Sequence, residues 1–297
     1  MAAFLRGIDA SLGRRPKAVL VMSGHWETEM PTLNTAAHPT LLFDYHGFPE
    51  HTYHLTYPAP GAPELAEEVR ALLATAGFES ATDDRRGLDH GVSVPLKLVY
   101  PDADLLVLQL SLQRDLGPAR HLAIGWALAP LRKRDVLIVG SGKSYHNLRG
   151  LFSGRGNDEA EAFDDWLSAA MADPSSRDAA LTDWRAAPGA IASHPEAEHL
   201  LPLMVVAARR AASLPRASMR ITCSASLYPG SALANPPTVE EGALATQRSA
   251  SASRSSIAAT SCGSRGAEAS VRRASASPTI PDAAASASRP AAVSSVV

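Results

Sequence analysis

Residues 17–26 read KAVLVMSGHW, and this stretch decides the fold. Pro16 precedes it, and Ala18–Met22 is an unbroken apolar run. Its length suits a strand buried on both faces. The strand, Lys17–Met22, ends at Ser23-Gly24-His25-Trp26. Two runs of the same kind follow, Leu105–Leu110 (LLVLQL) and Asp135–Gly140 (DVLIVG). Helical patterns alternate with them. Pro63–Ala76 has proline at its start, acids in its first turn and Gly77 after its end, which predicts a helix. Pro118–Lys133 reads as a helix behind the second strand, and Asn157–Met171 as one capped by Asn157. Pro195–Ala212 reads as a further helix. Glu196 and Glu198 fall in its first turn and Arg209 and Arg210 in its last, an order that suits the helix dipole. Strands alternating with helices predict an α/β fold: a single domain with a central mixed sheet flanked by helices.

Composition narrows the function classes. Of 297 residues, 45% are apolar and 20% charged, which is ordinary for a globular protein. The net charge of −2 lacks the basic excess of a nucleic-acid binder, so no nucleic-acid partner is predicted. No apolar run approaches the roughly 18 residues needed to cross a bilayer, so no membrane partner is predicted either. Cys223 and Cys262 are too few for a disulfide framework or a cysteine-rich zinc site. A cytoplasmic protein, monomeric or a small homo-oligomer, is the expectation.

Histidine is the informative residue. All ten lie between His25 and His199, and histidine is both the commonest metal ligand and the side chain that titrates nearest neutral pH. His25 follows the first strand and His146 the third, at the carboxyl ends where ligands collect in open α/β sheets. His199 lies one turn into the helix from Pro195, and His90 sits at a turn in Leu88-Asp89-His90-Gly91. No pair stands at HxH or HxxxH spacing, so spacing alone gives no metal signature, and any single histidine reads first as a hydrogen-bonded structural residue. Residues 30–62 form a long loop whose aromatics, Phe43, Tyr45, Phe48, Tyr53 and Tyr57, argue against disorder. They either wall a substrate or pack the loop itself. Trp26 reads as packing, and Lys143 as solvent-facing. Glu27, Glu196 and Glu198 read as exposed or dipole-complementing, with one of them available to orient a ligand histidine.

Five blocks in order resemble a known family: SGHWE at 23–27, DYHGFPEHTYHLTYPAPGAPELAEEV at 44–69, GLDHGVSVPLKLVYPDADLLVLQLSL at 87–112, VLIVGSGKSYHNLRG at 136–150 and HPEAEHLLPLMVVA at 194–207. The family is the class III extradiol ring-opening dioxygenases, in the branch that includes the 4,5-DOPA dioxygenases. The resemblance covers about residues 17–210. It implies three metal ligands, His25, His146 and His199, and makes His90 an acid/base and substrate-orienting residue. It also implies Fe(II) for activity, with Zn(II) compatible with the same site, and a small aromatic diol and O2 as substrates. Imidazoles suit both metals, and oxygen activation at Fe(II) needs open positions on the metal. Two other readings use the same residues: a zinc-binding protein of this fold without oxygenase activity, and a zinc hydrolase working through a metal-bound water.

The sequence departs from the family at three places. Relatives begin with a strand ending in Gly-His-Gly whose histidine is also a ligand, and no histidine precedes His25 here. Residues 1–213 therefore read as a catalytic domain lacking that strand, with one nitrogen ligand fewer and a bare sheet edge. Ser93 stands where an aromatic is usual after Asp-His-Gly, and Lys143 puts a cation in the loop that carries His146. From Ser249 onward, 28 of 49 residues are Ser or Ala, a composition that cannot offset its ordering entropy. Residues 214–297 are expected to be a largely disordered tail, and the abrupt change points to a shifted reading frame.

Overall fold

The computed structural model describes residues 2–153, 157–208 and 294–296. Its strands are β1 (Ala18–Thr28), β2 (Thr32–Asn34), β3 (Ala81–Asp83), β4 (Leu106–Gln113), β5 (Val136–Ser141) and β6 (Ser294–Val296). They form one mixed sheet in the order β3-β2-β4-β1-β5-β6. β1 runs parallel to both β4 and β5, and β2 meets β4 antiparallel at Leu33↔Leu110. The helices are α1 (Ala2–Arg6), α2 (Ile8–Ser11), α3 (Pro63–Thr75), α4 (His90–Val99), α5 (Pro118–Leu128), α6 (Leu148–Ser153), α7 (Asn157–Ala172), α8 (Arg177–Thr182), α9 (Ala190–Ser193) and α10 (Leu201–Ala207).

The alternation of β1 explains the two-sided architecture. Val19 and Val21 point into one core with Val107, Val139, Leu5 and Ile8 of α1 and α2, and Val92 and Leu96 of α4. Leu20 and Met22 point into the other, with Val69 of α3, Ile124 of α5, Phe163 of α7 and Met204 of α10. Each fully buried side chain of this size contributes about 1.5–3 kcal/mol. A central strand covered on both faces favours a continuous apolar run, as Ala18–Met22 is.

β1 outruns the sequence reading, and it does so irregularly. Its pairing with β4 proceeds from Ala18↔Leu106 to Met22↔Leu110, then resumes at Glu27↔Leu112. Five steps along β1 therefore match two along β4. The slack, Ser23 to Trp26, holds His25, which lies inside the strand's span and not in a loop beyond it.

Three helix expectations change. The helix over Pro195–Ala212 shortens to α10, Leu201–Ala207, and residues 195–200 are turns. Pro202 is the cause: it lacks an N–H, and in a longer helix its ring would strike the Glu198 carbonyl, so it fits only the first turn. His199 thus precedes the helix, and Arg209 and Arg210 lie outside the described residues. The helix from Pro118 ends at Leu128 and tightens into a 3-10 segment, Ala129–Arg134, because Pro130 has no N–H to give the Trp126 carbonyl, which takes the Ala129 N–H instead. Helix α7 runs Asn157–Ala172, one residue past its predicted end. Helix α3 matches its prediction, with Gly77 at φ +83° after its end.

The long loop carries more order than its sequence shows. It contains β2 and a 3-10 turn, Glu50–His54, and is pinned by single bridges at Leu41↔Leu88 and Gly61↔Val107. The tail predicted over 214–297 lies outside the described residues, apart from β6. That short strand pairs with β5 from Ile138↔Ser294 to Gly140↔Val296, so β5 is not a bare edge.

Candidate active site

The four histidines singled out in the sequence come together in one run of rings. His90 and His25 have centroids 4.0 Å apart, His25 and His199 4.8 Å, and His199 and His146 3.4 Å. They arrive from four places: the slack of β1, the first residue of α4, the loop after β5 and the turn before α10.

Each ring is positioned by local structure. The His25 backbone N–H donates to Ser23 Oγ, which donates to Asp89 Oδ1 at 2.9 Å. Asp89 is fully buried and caps α4 by accepting the Val92 N–H. Its other oxygen takes Gln109 Nε2 and Arg86 Nη2. The same Arg86 donates to the His25 carbonyl at 3.2 Å and stacks over the buried Trp26 ring at 5.0 Å. Arg86 and Asp89 therefore tie the His25 segment to the start of α4. Gly91 leaves room for this contact, since a Cβ there would overlap Ser23 Oγ and crowd the His25 ring. On the other side, the His146 N–H donates to Ser193 O, and the Lys143 N–H donates to His199 O at 2.9 Å. Lys143 itself is exposed, as expected.

The carboxylates follow the rings. Glu198 Oε1 lies 3.1 Å from His146 Nδ1, and its Oε2 is buried without a hydrogen-bond partner. Asp44 Oδ1 lies 2.7 Å from His90 Nδ1, while Oδ2 lies 3.5 Å from His25 Nδ1. His146, Glu198 and His199 can each offer one ligand atom within 4.8 Å of the others, and so can His25, Asp44 and His90.

Burial keeps the central imidazoles neutral. It pushes His199 down to about 2, helped by the neighbouring His146 and His25. It also lowers His25, with His90 as the next cause. Burial alone would raise Glu198 and Asp44. Hydrogen bonds and charge from His146 and from His90 outweigh it and hold both carboxyls below their ordinary range. Glu27 is raised by burial and by the charge of Glu198.

Four of the five loop aromatics form a cluster beside this site. Tyr45 meets Phe48, Tyr53 and, edge-on at 5.4 Å, the His90 ring. Tyr45 also donates its hydroxyl to Thr52 O, so the rings pack the loop and reach His90 together. Tyr57 departs into the core. His121 and His194 stay structural: His121 accepts the Gln113 N–H inside α5's packing, and His194 sits between Phe163 and Trp184.

Sequence reasoning missed Asp44, Asp89 and Arg86. It left Glu198 as one of three acids, of which the structure selects this one as the partner of His146. The only available signal for Asp44 was an acid opening the aromatic loop at Asp44-Tyr45-His46-Gly47.

Residues 5–222 match the family model described as the catalytic LigB subunit of aromatic ring-opening dioxygenase. The chain belongs to this family. The 4,5-DOPA dioxygenase extradiol of Beta vulgaris is 44% identical over 195 residues, 65% of this chain and 72% of the relative. That of Portulaca grandiflora is 40% identical over 195 residues, 64% of this chain and 72% of the relative. Among solved structures, an uncharacterized Escherichia coli K12 protein, JW3007, superposes with a TM-score of 0.61 at 30% identity, covering 72% of this chain and 83% of that one. The chain is thus an extradiol aromatic ring-opening dioxygenase by family, a metal-dependent class that takes an aromatic substrate and O2. Among the described residues, no helix of this dioxygenase is long and apolar enough to cross a membrane.

Proposed function

We propose that this dioxygenase holds Fe(II) through His25, His146 and His199 and opens a catechol-type ring beside its two hydroxyls, giving a semialdehyde that contains both atoms of O2. The convergence of these three imidazoles with His90 carries the reading. The donor set fits a divalent cation. Burial holds the His25 and His199 imidazoles neutral, and a buried Glu198 oxygen without a partner lies beside His146 and His199. Imidazole ligands that leave positions open on the metal suit Fe(II). When bound, Fe(II) supplies the redox chemistry that lets O2 react with the ring. Zn(II) fits the same imidazoles and supplies none.

The chain's own residues do the rest. Glu198 takes the Nδ1 side of His146, which leaves Nε2 for the metal. His90 takes a substrate hydroxyl proton and returns it later. The cluster around Tyr45 supplies an apolar wall against which a flat ring can lie. A cytoplasmic setting, where Cys223 and Cys262 stay reduced, goes with this reading.

The test is oxygen uptake by the full chain loaded anaerobically with Fe(II) and given a catechol such as DOPA. Stoichiometric uptake with appearance of the ring-opened product is expected, with no turnover in the Zn(II)-loaded control. A metal-replete, folded chain that consumes no oxygen overturns the proposal.

A further inference from the structure

Asp44 belongs to no motif that the sequence reading gave a role, yet it makes the shortest polar contact to His90. Its placement has a simple cause. The Leu42 N–H donates to Leu88 O and the Leu88 N–H donates to Thr40 O, both at 2.8 Å. This two-way link runs the start of the aromatic loop alongside residue 88. Two residues onward on each side, Asp44 and His90 meet.

We propose that Asp44 is the positioning residue that fixes His90 in the tautomer with its proton on Nδ1 and its lone pair on Nε2. The inference deepens the role proposed above for His90 and rests on it for its consequence in turnover.

One carboxylate oxygen, Asp44 Oδ1, lies 3.1 Å from the His90 backbone N and 2.7 Å from its ring Nδ1. A carboxylate is an acceptor only, so the ring nitrogen facing it carries the hydrogen. In a neutral imidazole the other nitrogen is then the base. The double attachment also fixes the ring's rotation. The backbone end is anchored because His90 is the first residue of α4, whose cap is the buried Asp89. The ring end is boxed by His25 at 4.0 Å and Tyr45 at 5.4 Å. Asp44 therefore sets which nitrogen of His90 a substrate hydroxyl meets, without touching that hydroxyl itself.

The experiment compares wild type, Asp44→Asn and Asp44→Ala as full-length chains. In the Zn(II)-loaded proteins, 15N NMR of the ring nitrogens reads the tautomer, with His90 assigned by the signals lost in His90→Gln. The wild type is expected to show protonated Nδ1 and bare Nε2. Asp44→Asn keeps an acceptor and keeps that pattern, whereas Asp44→Ala loses it. In the Fe(II)-loaded proteins, kcat is expected to fall roughly 100-fold in Asp44→Ala and far less in Asp44→Asn, with KM within a few-fold. Metal content should stay at the wild-type level in both. An unchanged 15N pattern in Asp44→Ala overturns the inference. So does loss of bound metal in that variant, which would make Asp44 part of the metal site, as a ligand or through His25. If the wild type consumes no oxygen but its 15N pattern still depends on Asp44, the positioning role stands and the catalytic reading fails.

Discussion

Glu198 holds the Nδ1 side of His146 at 3.1 Å across 52 residues of chain, and does so with only one of its oxygens. The other, Oε2, is buried and unpartnered. A buried carboxylate oxygen left in that state costs free energy that a bound cation would recover. Replacing Glu198 by Gln keeps the shape and removes the charge. Metal affinity is expected to drop about 10- to 100-fold, the usual effect of losing a residue that orients a ligand histidine. Competition with a chelator of known affinity measures it, and an unaltered affinity would contradict the role given to Glu198.

Arg86 ties together two segments that carry site histidines, and its partner Asp89 is completely buried. Arg86→Ala leaves a buried carboxylate with neutral donors only. The expected loss is about 3–5 kcal/mol of unfolding free energy, read from denaturant midpoints. Arg86→Lys should recover little of it. An ammonium cannot reach the His25 carbonyl, bond Asp89 and lie flat on Trp26 at once.

Acid should weaken the fold through its buried imidazoles. Burial lowers His121, and lowers His194 to about 4. Both are neutral in the native chain, and His121 needs that state to donate to Gly117 O while accepting from the Gln113 N–H. Below the ordinary histidine value of about 6.5 the unfolded chain binds protons that the folded chain refuses, so stability falls as pH falls. The contribution is fully present above about pH 6.5 and declines toward pH 4. For His194 it amounts to about 3 kcal/mol. Denaturant midpoints of the metal-free chain at pH 7.5, 6 and 5 should descend in that order. Equal midpoints would show that these imidazoles are not protected.

The sheet was legible because Ala18–Met22, Leu105–Leu110 and Asp135–Gly140 are mostly apolar runs of strand length, largely buried on both faces. The four histidines were legible as candidates from the family blocks that hold them. What could not be read was how they meet. The slack in β1 depends on a register against β4 that no local pattern encodes. The helix before Ala212 was over-extended because its charges suit a dipole, while Pro202 quietly forbids the first two turns. Asp44 was invisible for the same kind of reason. Its neighbour is chosen by the link between Leu42 and Leu88, a long-range contact between unremarkable residues.

The mismatch of five residues against two between β1 and β4 has a bearing on how this protein can change. His25 is slung between two stretches of paired strand, so its backbone stays tethered when the aromatic loop beyond Asp44 is lengthened, shortened or rebuilt. Insertions beyond Asp44, around residues 46–57, could therefore retune which molecules enter while the imidazole at the floor keeps its place. That separation between a tethered floor and an editable rim makes the loop, and not the strand, the place to begin engineering a different selectivity.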